Sequence, residues 1–189
     1  MNSQADGGVL DDLAQRLAFE RMLARLYRAL SARLGPTRHN EGEPNQRELE
    51  RIDAELFRRC ELLDAAIDAI APGHRTSPAG SPRLVGTYEF ASVLADPRYG
   101  FAQCVEAILV TELLDNHAWT ALVKRLEADG LDDLARAFDG ALREEQAQLA
   151  RVRSWSRAVR RPHVNGRPSG RRAPGRLASG AVSGQRFSR

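Results

Sequence analysis

The chain has 189 residues, 42% of them hydrophobic and 28% charged, which is enough for one domain with a real core plus a tail. No apolar run approaches the ~20 residues that span a bilayer, and the opening MNSQADGGVLDDL is acidic and lacks an apolar centre, so neither a membrane span nor a secretory signal is expected. The net charge of +3 conceals a split: of 28 basic residues, nine are arginines in 157–189, a stretch without an acid, which leaves 19 bases against 25 acids, or −6, in residues 1–156.

Four long amphipathic helices are predicted. The first, about 9–34, carries Leu10, Leu13, Leu17, Ala24, Tyr27 and Leu34 at helical spacing and stops at GPTRHNEGEPN. The second, about 46–71, carries Leu49, Ile52, Leu56, Leu63, Ile67 and Ile70 and ends at Pro72-Gly73. A small helix, TYEFASVLAD, is expected in the connection that follows. The third long helix, about 98–129, carries Val105, Ile108, Trp119, Leu122, Val123 and Leu126 and ends at Gly130. The fourth, about 132–158, carries Leu134, Phe138, Leu142, Leu149, Val152 and Trp155, with Asp132 or Asp133 as its cap. The turn between the last two helices is very short, so they are antiparallel neighbours. The connection between the second and third is far longer than a simple interhelical loop and can travel the length of the molecule. Two antiparallel hairpins joined by one long crossover are therefore expected. Cys60 and Cys104 lie inside helical patterns, as buried thiols of a reducing compartment do, so the cytoplasm is the expected location.

Each long helix has one glutamate on its apolar stripe: Glu20, Glu55, Glu112 and Glu145. Counting outward from the turns sets Glu112 level with Glu145, and Glu20 within about a turn of Glu55. Four carboxylates meeting in a core need cations or protons, because each buried ion costs several kcal/mol and like charges raise one another's pKa. Oxygen donors of this kind suit iron or manganese. Taken singly, Glu20 and Glu55 also read as edge residues whose heads reach water; Glu112 and Glu145 are more central.

The phrases LAFERMLARLY, LERIDAELFRRCELL, CVEAILVTELLDN and LREEQAQLARVRSW resemble the ferritin-like superfamily, and within it bacterial ferritin-like domain proteins, over about residues 10–156. The resemblance implies an all-α, ferritin-like four-helix bundle occupying residues 1–156. It also implies a dinuclear iron or manganese site in which Glu20 and Glu112 are single carboxylates, while Glu55 and Glu145 open two E-x-x-H pairs. Both histidines are replaced. Arg58 stands three residues after Glu55, and Gln148 three after Glu145. Arginine stays protonated and has no lone pair to offer, whereas glutamine offers a weak carbonyl oxygen. Arg58 is either a cation standing in for a metal ion or an exposed arginine at the stripe's edge. Asp115, one turn after Glu112, is either an extra ligand or an acceptor behind the ligands, or else a partly solvated acid. His117 falls off the site face, His39 and His74 lie in loops, and His163 is in the tail. Tyr27, Trp119 and Trp155 read as core packing.

Residues 157–189 are rich in Arg, Gly, Pro and Ser and are expected to be a basic disordered tail. Arg160, Arg161, Arg171 and Arg172 are its candidate contacts to nucleic acid, although it offers almost no aromatic rings for stacking. The functional expectation is a degenerate dinuclear carboxylate site with residual binding of two iron or manganese ions and a role in iron, oxygen or peroxide handling. The alternative is a bundle without cofactor that serves as a binding or assembly module. The partners expected are metal ions, further copies of the chain and, through the tail, nucleic acid, but not a membrane. The sequence does not say whether the chain is an enzyme.

Overall fold

A computed structural model describes residues 3–34, 41–73 and 87–161. All regular structure among these residues is α-helical: α1 (Ser3–Arg33), α2 (Gln46–Ile70), the short α3 (Thr87–Ala95), α4 (Phe101–Ala128) and α5 (Asp132–Val159). None of these helices is long and apolar enough to cross a membrane. The stripes read from the sequence are the buried faces, and α3 is the small helix expected in the long connection.

The differences lie at helix ends. α1 begins at Ser3 rather than near residue 9. It runs through Gly8, where a Cβ would meet the Arg125 guanidinium at 2.5 Å, so a side chain there would displace the arm that Arg125 extends to Asp12 (2.9 Å). α5 continues to Val159, past the expected boundary at 156, because Ala158 is buried and Arg160 is tied back to Glu106 of α4 through Nε (2.8 Å) and Nη2 (2.5 Å).

Local signals set the other ends. Asn45 caps α2 with a reciprocal box: its side chain accepts from the Glu48 N–H (3.1 Å), and the Glu48 carboxylate accepts from the Asn45 N–H (3.1 Å). α4 ends with Gly130 in the left-handed region (φ 74°), which lets Leu131 N–H reach the Leu126 carbonyl (2.8 Å) and Gly130 N–H reach that of Glu127 (3.1 Å). This closure turns the chain at once into α5.

Cross-helix pairs define the arrangement. Arg28 meets Asp53 and Arg21 meets Asp64, so α1 and α2 run in opposite senses. Arg125 meets Asp12 and Tyr27 meets Glu112, so α1 and α4 are opposed as well. α4 and α5 are opposed through Glu106–Arg160 and Glu112–Gln148, and α2 and α5 through Glu55–Arg151 and Arg58–Glu144. α2 and α4 therefore point the same way.

The apolar interior is in two parts. One is built around Leu23, Tyr27, Leu30, Ile52, Leu56, Ile108, Val152 and Trp155. The other is built around Leu13, Leu17, Leu63, Ile67, Trp119, Leu126 and Phe138, with Trp119 edge-on to Phe138 at 5.6 Å between centroids. Between them lies a layer of buried charge. Asn45→Ala, which removes the α2 cap without touching either core, is expected to lower stability by about 1 kcal/mol in urea unfolding.

Candidate functional site

The layer takes Arg16, Glu20 and Tyr27 from α1, Arg59 from α2, Glu112, Asp115 and Trp119 from α4, and Glu145 and Gln148 from α5, all of them buried. Helical spacing places them together. Residues 16, 20 and 27 share a stripe of α1, residues 112, 115 and 119 one of α4, and residues 145 and 148 one of α5.

Arg59 is the hub. Its Nε donates to Glu20 Oε2 (3.1 Å) and its Nη2 donates to Gln148 Oε1 (3.2 Å) while lying 3.3 Å from Glu145 Oε2. The other Glu20 oxygen accepts from Trp119 Nε1 (2.6 Å). Glu112 Oε1 accepts from the Tyr27 hydroxyl (2.6 Å) and from Gln148 Nε2 (2.8 Å). Arg16 forms a buried ion pair with Asp115, approaches Glu20 at 3.7 Å, and lies 4.4 Å above the Phe19 ring. That ring face is a favourable surface for a desolvated guanidinium.

Four carboxyl groups face two guanidiniums. Fully ionised, the layer would be two charges in excess, which a low-dielectric core does not tolerate. Protons make up the difference. Burial pushes Glu145 up to about 12, helped by the charges of Asp115 and Glu112 and only partly opposed by Arg59. Burial raises Asp115 to about 8 against the pull of Arg16. Glu112 is raised by burial too, though Tyr27 and Gln148 hold it back. One proton therefore resides on Glu145, and Asp115 is the next group to hold one at neutral pH. Both Glu145 oxygens lack a hydrogen-bond donor, as does Glu112 Oε2. A protonated Glu145 supplies the missing donor to Glu112, which lies within its reach. Arg59 stays charged, since the acids around it outweigh its desolvation.

The structure brings together Glu20, Glu112 and Glu145, with Asp115 and Gln148 beside them. It does not bring in Glu55 or Arg58. Glu55 lies roughly 80° round α2 from the buried Leu63; its carboxylate faces Arg51 (3.6 Å) and Arg151 (3.8 Å) at the rim. Arg58 is roughly 140° from Leu63; it is exposed and approaches Glu144 at 3.9 Å. The buried cation is its neighbour, Arg59. Its signal was present in the sequence, because it falls in line with Ile52, Leu56 and Leu63. Arg16, between Leu13 and Leu17, carried the same signal. Trp119 packs as expected but also donates into the layer, as Tyr27 does. His117 is exposed, as read from its angle. His39, His74, His163, Arg171 and Arg172 lie outside the described residues, whereas Arg160 is engaged by Glu106 and Arg161 is exposed.

A dinuclear metal centre does not fit these donors. Arg59 holds the space between Glu20 and Glu145. Gln148 turns its amide N–H, not its oxygen, to Glu112. Among the described residues, no group of three or more His, Cys, Asp and Glu side chains is arranged to hold a metal ion. Elsewhere, a groove of about 290 Å³ lies between α1 and α2, lined by Arg25, Phe57 and Cys60 among others. Burial pushes the Cys60 thiol up to about 11, so it is no nucleophile at neutral pH. Compared with protein-family models, curated proteins and solved structures, the chain matches none.

Arg59→Met is expected to cost about 3–5 kcal/mol in urea unfolding, because it leaves Glu20 with only the more distant Arg16 (3.7 Å), which Asp115 already engages. Glu145 behaves in the opposite sense. Above an unfolded pKa of about 4.3 and up to about 12, the folded chain holds a proton on Glu145 that the unfolded chain has released. Native stability therefore falls as pH rises through this window. Glu145→Gln removes that proton uptake, so the stability difference should move in the variant's favour with rising pH, by up to about 1.4 kcal/mol per unit. Unfolding curves across neutral and mildly alkaline pH measure it.

Proposed function

We propose that the chain is a ferritin-like four-helix bundle whose dinuclear site has been replaced by an internal network of guanidinium groups and bound protons. On this reading it is a metal-free binding or assembly module rather than a centre for iron, oxygen or peroxide chemistry. The single observation that carries the proposal is Arg59, buried between Glu20, to which it donates, and Glu145, which it approaches at 3.3 Å.

The helix directions support the ancestry. α1–α2 and α4–α5 are antiparallel pairs, and α2 and α4 run the same way, as a long crossover from one end to the other requires. The positions support it too, after one adjustment of register. The buried pair slot on α2 is Leu56-x-x-Arg59, not Glu55-x-x-Arg58, and that on α5 is Glu145-x-x-Gln148. Of the six donors the ferritin-like pattern uses, Glu20, Glu112 and Glu145 remain. A leucine, an arginine and a glutamine stand at the others, and none of these three is a good ligand for iron or manganese.

Metal loading tests the reading. Protein incubated with excess ferrous or manganous ion and then desalted is expected to retain none by elemental analysis, with an unchanged melting temperature. Two ions held per chain would overturn the proposal. Leu56→Glu/Arg59→His/Gln148→His, which rebuilds both pairs in the observed register, is expected to take up metal under the same conditions and to melt higher with it.

A further inference from the structure

The outward face of α4 is apolar where it faces solvent. Val110 (42% exposed), Leu113 (42%) and Leu114 (38%) are three of the five exposed large hydrophobic residues among those described. They lie on the side of the helix opposite Glu112, and the exposed His117 and Ala121 continue the stripe. No exposed charge interrupts it. Glu106 bounds one end and Lys124 the other, about five turns or 27 Å apart and at the same angle round the helix.

Lys124 is an ammonium without an ion-pair partner among the described residues, and Glu106 is a carboxylate shared with Arg160. This difference in charge between the two ends decides what the face fits. A second α4 laid parallel would set Glu106 against Glu106 and Lys124 against Lys124. Laid antiparallel about a two-fold axis level with Asp115, it sets Glu106 against Lys124 of the partner subunit at both ends. Leu113 then faces His117 of the partner subunit across the middle. The stripe is thus complementary to itself in one orientation only. Lys124 is exposed and has no ion-pair partner among the described residues. Glu106 accepts from Ser156 and twice from Arg160, and its side chain remains 30% exposed, so the carboxylate has a lone-pair position left for an ammonium.

We propose that this face of α4 is a homodimer interface, seating the same face of a second copy antiparallel across a two-fold axis. The proposal goes beyond the metal-free reading and does not depend on it, because metal loading and self-association are read separately. One helix face is at the low end of specific interface sizes, so the dimer depends on concentration.

Sedimentation equilibrium of the full chain over a wide concentration range tests it. The native chain is expected to pass from monomer to dimer. Leu113→Glu is expected to weaken the association by at least about tenfold, the loss typical of a central apolar anchor. Lys124→Glu, a surface change that leaves the core alone, should weaken it a few-fold and reverse its response to salt. Phe57→Glu, on the exposed face of α2, should leave it unchanged. Circular dichroism establishes that each variant is folded. A native chain that stays monomeric at every concentration overturns the proposal. So does a dimer that survives Leu113→Glu and Lys124→Glu undiminished, or one that Phe57→Glu dissolves.

Discussion

The ion pair of Arg59 with Glu20, beside the protonated Glu145, is the constraint around which the interior is organised. A carboxylate taken from water into a core is untenable alone, and this chain buries four. Arg59 enters from the one helix that brings no acid to the layer and touches α1 and α5 at once. Gln148 relays the contact to Glu112 and Tyr27, while Trp119 and Arg16 close the other side on Glu20 and Asp115. The layer cross-links all four long helices at one depth. It also separates two apolar cores that would otherwise merge, and so fixes the register of each helix against the others. A slip by one turn would leave several charges unpaired, whereas a slip between two leucine layers would cost far less.

A guanidinium differs from a metal ion in what it lets a buried carboxylate layer do. A metal ion exchanges ligands and accepts substrates into its coordination sphere. A guanidinium is always charged, planar and covalently tied to its helix, so it fills the space without opening a coordination position. Each guanidinium brings a single positive charge, so two of them leave the four carboxyl groups short of balance. Burial raises Glu145, Asp115 and Glu112, and for Glu145 and Asp115 the neighbouring acids add to it. Protons complete the charge balance that two guanidiniums leave unfinished, and on the proposed reading the layer specifies the fold.

The helices and their faces were legible because periodicity reports burial directly. Turn-centred counting placed Glu112 beside Glu145 correctly, since a short turn fixes both height and rotation. Counting failed for Glu55. The longer connection between α1 and α2 fixes height only loosely, and height says nothing about angle. Measured against Leu63, Glu55 falls at the rim and Arg58 outside it, whereas Arg59 points inward. Neither Arg59 nor Arg16 was singled out from the sequence, although both fall on apolar stripes. An arginine is long enough to sit on an apolar face and still meet an acid from a neighbouring helix, which is legible only once both partners are considered together. For the tail, composition set the charge but not the boundary: three residues assigned to it continue α5, held by the burial of Ala158.

α4 brings the two halves of the argument together. Its inner face carries Glu112, Asp115 and Trp119, and its outer face carries Val110, Leu113 and Leu114. A helix that only lines a core shows a polar outer face, as α5 does with its exposed Arg143, Glu144, Gln146 and Arg153. On the middle of α4 that pattern is broken: Glu112 and Asp115 point inward to other charges, and Leu113 and Leu114 point outward. The inward charges are explained by Arg59 and Arg16. The outward leucines have no counterpart among the described residues, and it is this apolar strip on one helix face that the proposed second copy would cover.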